Sequence, residues 1–228
     1  MAVILNIDTA LDTACISLAE NGKLLQSAIN ESQKDHAIWI HNAISKLLGE
    51  SELAMANLDA IGVSIGPGSY TGLRIGLSTA KGLCYPLKIP LITINTLEMM
   101  TVSTIKEVEM STPDLLAETL LFCPMIDARR MEVFTAVYDL NLKEVVKPHA
   151  RILDKNSFED ILMRQKILFW GNGSLKFQKV CQNLHAIFKK MPVNTLALAT
   201  LTYKSFIGSN SADLAYAEPL YLKEFFTK

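Results

Sequence analysis

The stretch "NIDTALDTACISLAENGKLL" at 6–25 has a counterpart in "MIDARRMEVFTAVYDLNLKEV" at 125–145. In each, an apolar run ends in Ile-Asp, a short link of polar and small residues follows, and a second strand-like run leads through a turn to a third. The two aspartates, Asp8 and Asp127, lie 119 positions apart. Glycine loops repeat in the same order: "VSIGPGS" at 63–69 closes an apolar run in the first half, and "LFWGNGS" at 168–174 does so in the second. β-Hairpins resemble one another easily. The same order of parts twice in one chain, however, predicts two β-β-β-α-β-α units of about 100 residues each, packed as a pair.

Local signals fill in that plan. Strands are predicted at 3–8, 13–19 and 23–30, with Asn21-Gly22 as the turn of a hairpin. A helix pattern covers 35–48: Ala37, Ile40, Ile44 and Leu47 repeat at helical spacing, Trp39 and Ala43 widen the stripe, Asp35 opens it and Gly49 ends it. A strand at 60–65, the loop "GPGSYTG", a helix at 71–85 and a buried strand in "KIPLITINT" complete the first unit. The predicted division is 1–103 as the N-terminal lobe, carrying the amphipathic helices, and 104–228 as the C-terminal lobe.

Composition excludes several functions. With 22 Lys and Arg against 23 Asp and Glu, the net charge is −1, so the chain by itself has no electrostatic reason to hold nucleic acid, although Arg129 and Arg130 are adjacent. The N-terminus has no basic region ahead of its apolar run, which predicts no signal peptide, and no apolar stretch is long enough for a membrane span. Cys15, Cys84, Cys123 and Cys181 form no C-x-x-C pair, the expectation for reduced, mostly buried thiols in a cytoplasmic protein. His36 and His41 share a predicted helix but fall about 140° apart around it, so they do not chelate one ion. There is no H-E-x-x-H, and no serine triad or Cys–His dyad to support peptidase chemistry.

The loop at Gly66, Gly68 and Gly72 spaces its glycines as G-x-G-x-x-x-G, which is neither the dinucleotide fingerprint nor a P-loop. Ser69 is not a nucleophile elbow, because Pro67 and Thr71 stand where that motif needs glycines. Two readings remain open. Free N–H groups at a helix start can cradle an anion, which would make Asp8, Gly66, Gly68 and Ser69 the contacts of a vestigial nucleotide cleft. Alternatively the loop is a tight turn whose glycines permit close packing, and Asp8 caps the turn after its own strand. The plan resembles the actin-like fold shared with sugar kinases, in which both Ile-Asp strand ends and both glycine turns face one nucleotide cleft. An ATP-dependent phosphotransferase or ATPase using Asp8 and the Gly66–Ser69 loop is therefore the second functional expectation. Along the following helix Leu73, Leu77, Ala80, Cys84 and Leu87 make one apolar stripe. Gly72, Gly76, Thr79 and Gly82 make a small-residue face, read as a place where another backbone comes close.

Taken in order, "ILNIDTALDTACISLA", "GVSIGPGSYTGLRIGLSTAKGL", "IPLITINTLEMM", "DARRMEVFTAVYD" and "EPLYLK" make the chain resemble the TsaB (YeaZ) family of bacterial tRNA threonylcarbamoyladenosine biosynthesis proteins. The resemblance spans nearly the whole length. It implies two actin-like/RNase H-like lobes with mixed sheets flanked by helices. It also implies a non-catalytic partner of TsaD, the subunit that transfers a threonylcarbamoyl group to the adenosine beside the anticodon, with the ATPase TsaE completing the complex. By the same resemblance the chain touches tRNA only through the complex, can pair with itself, works in the cytoplasm and needs no cofactor alone, ATP or ADP belonging to the complex. TsaD-type relatives carry a His-x-x-x-His metal pair at the start of the helix after the "IPxI" strand. Thr96 and Met100 stand at those positions, and neither suits iron or zinc. A pseudo-enzyme with no catalytic residue and no metal is expected. The resemblance further implies a partner interface of His36, Trp39, Ile40 and Ala43 on the first helix and Gly72, Arg74, Gly76, Thr79, Ala80 and Leu83 on the second.

Overall fold

A computed structural model describes residues 1–32, 35–117, 119–190 and 195–223. Strand β1 (Val3–Asp8) pairs antiparallel with β2 (Ala14–Glu20), placing Asp8 opposite Cys15. Asn21 and Gly22 both take positive φ, 49° and 77°, and turn the chain into β3 (Lys23–Asn30), as their sequence signalled. Helix α1 (His36–Glu50) has Asp35 at its N-cap position, but the side chain makes no capping hydrogen bond, and Gly49 does not stop the helix. Next come β4 (Ala60–Gly66), α2 (Tyr70–Leu87), β5 (Leu91–Asn95) and α3 (Thr96–Ser111). β4 lies parallel to β1 and β5 parallel to β4, giving the sheet order β3-β2-β1-β4-β5.

The second sheet repeats the first. Its elements are β6 (Leu120–Asp127), β7 (Glu132–Tyr138), β8 (Glu144–Ile152), α4 (Glu159–Leu162), β9 (Lys166–Trp170), α5 (Ser174–Gln178) and β10 (Ala186–Phe188), followed by α6 (Thr195–Ile207). The order β10-β9-β6-β7-β8 is the order of the first sheet with each strand replaced by its counterpart. The α/β class and the duplicated β-β-β-α-β-α plan are as the internal repeat predicts. Helices α4 and α5 are only 4 and 5 residues long. Aromatic packing fills the space instead: Phe158, Phe169 and Phe177 are fully buried and meet edge to face, with centroids 5.0 to 5.5 Å apart.

The chain forms two compact units. One holds Met1–Met99 and Asn194–Leu220, and the other holds Met100–Val193 and the chain from Tyr221. This differs from the predicted division at 103/104 in two respects: the first unit ends at Met99, and α6 and the segment after it return to the first sheet. Thr202 Oγ1 on α6 donates to buried Asn6 Oδ1 at 2.5 Å, and a Cβ at Gly62 would collide with the Thr202 methyl. Beyond the helix, Ala212 N–H bonds the Leu91 carbonyl (2.8 Å) and Leu220 N–H bonds the Ile65 carbonyl (2.7 Å). The first sheet is therefore covered twice. Leu5, Ile7, Ile16, Leu18, Ile61 and Val63 form one core with Ile40, Ile44 and Leu47 of α1 and Leu77, Ala80 and Cys84 of α2. Asn6 and Gly62 meet α6. This double cover explains why β2 is buried along nearly its whole length although its sequence alternates.

Candidate functional site

Asp8 ends β1 and is buried, at 8% exposure. Ser64, on neighbouring β4, donates its hydroxyl to Asp8 Oδ1 at 2.5 Å, and the Ala10 N–H reaches the same oxygen at 3.0 Å. The second contact is the aspartate bonding its own backbone two residues on, the turn-capping role. Burial pushes the Asp8 carboxyl above its ordinary 3.8; the Ser64 hydroxyl, the Ala10 N–H and the nearby His36 pull the other way without cancelling it. Among the described residues no three His, Cys, Asp or Glu side chains are grouped to hold a metal ion.

The glycine loop is packed rather than open. A Cβ at Gly68 would strike the Ala10 carbonyl oxygen, and one at Gly66 (φ 118°) would come within 2.7 Å of the Leu220 carbonyl oxygen. Four N–H groups of this stretch are committed within the chain. Gly66 donates to Thr96 Oγ1 (3.1 Å), and Ser69 to the Ala10 carbonyl (2.7 Å). Gly72 donates to Ser69 Oγ (3.3 Å), and Leu73 to the Ser69 carbonyl (2.8 Å). Ser69 is the N-cap of α2. These contacts are those of a packing turn. Asp8, Gly66, Gly68 and Ser69 do converge, as expected, but on one another and on the β1–β2 link. The residues that sequence reasoning missed here are Ser64 and Thr9, small polar residues with no local signal.

Thr96 opens α3 fully buried, its hydroxyl occupied by the Gly66 N–H, while Asn95 Oδ1 caps the helix through Leu97 N–H at 2.8 Å. Met100 is buried and its methyl lies against Gly171.

The helix residues expected at a partner interface divide into two sets. Trp39 and Leu83 are half-buried and Arg74 is exposed, its guanidinium 4.0 Å above the Tyr70 ring. His36, Ile40, Ala43, Gly72, Gly76, Thr79 and Ala80 are instead buried in the chain's own core. The correction has a steric cause. A Cβ at Gly72 would strike the Thr9 carbonyl oxygen and one at Gly76 the Thr9 hydroxyl, so these glycines admit the β1–β2 link, not another molecule. Gly82 alone of the small-residue face is open, with nothing within 4 Å of its would-be Cβ. Beside it on α2 lie exposed Ser78 and Tyr85, the latter 80% exposed, and α1 presents Ile38 at 74%.

Asp127, the counterpart of Asp8, has a different setting. Lys176 Nζ lies 2.7 Å from its Oδ1, the Arg129 N–H donates to the same oxygen at 2.6 Å, and the carboxylate is partly exposed. The slight burial would raise its pKa, but the Lys176 hydrogen bond, the Arg129 N–H and the charges of Lys176 and Arg129 together hold it below the ordinary 3.8. Laying the two glycine loops over each other could have found this partner, since Lys176 falls where Thr71 stands in the first. Burial pushes the Cys84 thiol up to about 11 and the Cys123 thiol to about 12, and that of Cys15 also rises.

A twice-repeated 3-2-1-4-5 mixed sheet whose first strand ends in aspartate defines an actin-like, RNase H-like α/β protein. The profile "TsaD: tRNA N6-adenosine threonylcarbamoyltransferase" matches residues 24–223, and the chain belongs to that family. Within it, the chain resembles members named TsaB or YeaZ. It is 29% identical over 184 residues to the tRNA threonylcarbamoyladenosine biosynthesis protein TsaB of Bacillus subtilis, covering 79% of this chain and 76% of that one. It is 26% identical over 226 residues to TsaB of Haemophilus influenzae, covering 97% and 83%. The structure of YeaZ from Pseudomonas aeruginosa shares the fold, with a TM-score of 0.78 at 20% identity over 97% of this chain and 100% of that one.

Proposed function

We propose that the chain is a non-catalytic subunit of the bacterial machinery that forms N6-threonylcarbamoyladenosine in tRNA, pairing with TsaD and acting together with TsaE. One observation carries the reading. At the two positions where TsaD-type relatives hold a histidine pair, this chain has a buried threonine whose hydroxyl is already bonded to Gly66 and a buried methionine. The fold is retained and the metal-binding side chains are not. The companion view is that the chain requires no nucleotide of its own, ATP or ADP being held by the assembled complex, and the four N–H groups already bonded within the chain support it. The partner face in this reading is the outer side of α1 and α2, with Ile38, Trp39, Arg74, Gly82, Leu83 and Tyr85, and a cytoplasmic site of action follows from the substrate. No helix among the described residues is long and apolar enough to cross a membrane.

The test is reconstitution. Purified chain supplied with tRNA and the threonylcarbamoyl donor yields no modified adenosine, and modification appears when TsaD, TsaE and ATP are added and fails when this chain is omitted. Modification by the chain alone overturns the proposal.

A further inference from the structure

Each sheet has two edges, and three of the four are covered or guarded. Beside β5, the Ala212 N–H bonds the Leu91 carbonyl. β10 is only three residues long. β8 exposes Val145 and Ile152, yet it also carries Glu144, Lys147, Arg151 and Pro148 among its nine residues. Charge, proline and shortness are devices that keep a free edge from pairing with another chain.

β3 is the exception, although it holds the place of β8 in the duplicated plan. From Leu24 to Asn30 it has neither charge nor proline. Among the described residues its backbone bonds only to β2, so alternate N–H and C=O groups face away from the sheet. Pairing with β2 is in regular register from Gln26 to Asn30, with one bulge, at Leu25. The bulge twists the first end of the edge but leaves the remaining five residues to pair. Leu25 and Ile29 are 46% and 49% exposed, with exposed Ser27 between them.

We propose that β3 pairs antiparallel with β3 of a second copy of this chain, joining two five-stranded sheets edge to edge. The order of charges selects a copy of the same chain. Lys23 opens the strand and Glu31 follows it; both are exposed, and among the described residues neither makes an ion pair. An antiparallel twofold at the middle of the strand brings the Lys23 end of each copy to the Glu31 end of the other. It also sets Leu25 of one copy beside Ile29 of the other. A parallel copy would set lysine against lysine. A foreign extended segment is the competing occupant, but the charge order of this strand is already the complement of itself reversed. β3 carries none of the side chains placed at the proposed TsaD face, so the pairing does not depend on that role.

The experiment follows the mass of the full chain by sedimentation across a concentration series at low ionic strength, where exposed charges are least screened. The parent dimerises. Lys23→Glu and Glu31→Lys each set like charges together at both ends of the pair and raise the dimer dissociation constant about tenfold. An equal mixture of the two variants regains the parent's affinity, because each end then meets its opposite. Ile29→Lys adds the missing edge charge at an exposed position, keeps the parent's melting temperature and is monomeric. A parent that stays monomeric at the highest concentration reached overturns the inference. A dimer insensitive to both charge variants also overturns it, as does a mixture that pairs no better than either variant alone. A dimer broken by Ile38→Asp but not by Ile29→Lys belongs to the helix face and overturns it too.

Discussion

The hydroxyl of Thr9 fills the space in front of Gly76 where a β-carbon would otherwise stand, and it donates to the Gly72 carbonyl at 2.7 Å. Thr9 is fully buried. One side chain thus ties the link after β1 to the first turn of α2, which positions the glycine loop against Asp8. The small-residue face of α2 serves the chain's own closure before it serves any partner.

Substitution at the two interior glycines of α2 should therefore have opposite signs. Gly76→Ala pushes Thr9 from a buried, bonded position and is expected to cost about 1–3 kcal/mol, as overpacking does. Gly82→Ala meets open space, and the better helix former should stabilise by about 0.5–1 kcal/mol. Urea unfolding of both variants decides the matter. A neutral Gly76→Ala would show that Thr9 does not pack there.

The proposed pairing with TsaD should respond to the open face instead. Ile38→Asp and Tyr85→Ala change side chains that are 74% and 80% exposed, so the fold is expected to be unaffected. Each variant should weaken TsaD binding by tenfold or more if it removes about 1.4 kcal/mol of a central contact. Calorimetric titration reads this directly, and full affinity in both variants would move the interface elsewhere.

The contrast between these residues shows what the sequence could reveal. Strand alternation, the Asn21-Gly22 turn and the repeated order of parts are local or simply periodic, and the structure follows them closely. Periodicity even held the answer for α2: Gly72, Gly76 and Ala80 share the side of Leu73 and Leu77, while Arg74, Ser78 and Tyr85 lie opposite. Small size reads as openness, although a glycine facing inward leaves the same mark in sequence as one facing out. The return of α6 to the first sheet rests on Thr202 meeting Asn6 across 196 positions, and nothing local encodes it. The burial of Asp8 under Ser64, 56 positions away, is hidden for the same reason.

Asp8 should make the native state prefer its proton. The unfolded group titrates near 3.8, and burial raises the folded value. The native state then binds the proton more tightly, so this contribution is fully present below the unfolded value and is lost as pH rises through the folded one. Asn at this position mimics the protonated carboxyl and keeps an oxygen for the Ser64 hydroxyl and the Ala10 N–H. Asp8→Asn is therefore expected to be more stable than the parent at neutral pH, with the gap closing in acid. Thermal melts from about pH 3 to 8 test it. A parent more stable than the variant at neutral pH would mean that the ionised carboxylate is favoured in the fold.

Asp127 should behave in the opposite way although it occupies the equivalent strand end. Lys176 and the Arg129 N–H hold its folded pKa below 3.8, so its contribution is present above the unfolded value and lost as pH falls through the folded one. Its side chain is 37% exposed, and solvent screening limits the effect to under about 1 kcal/mol. Asp127→Asn removes the charge but keeps an oxygen for the Arg129 N–H. The variant should be slightly less stable than the parent at neutral pH, equal to it in strong acid, and closer to it in high salt. The same melts that follow Asp8→Asn measure this, and two variants with profiles of the same sign would contradict the different settings of the two aspartates. Opposite signs would show that duplicated strand ends have been put to separate uses, one closed inside its unit and the other keeping a charge at the turn between β6 and β7.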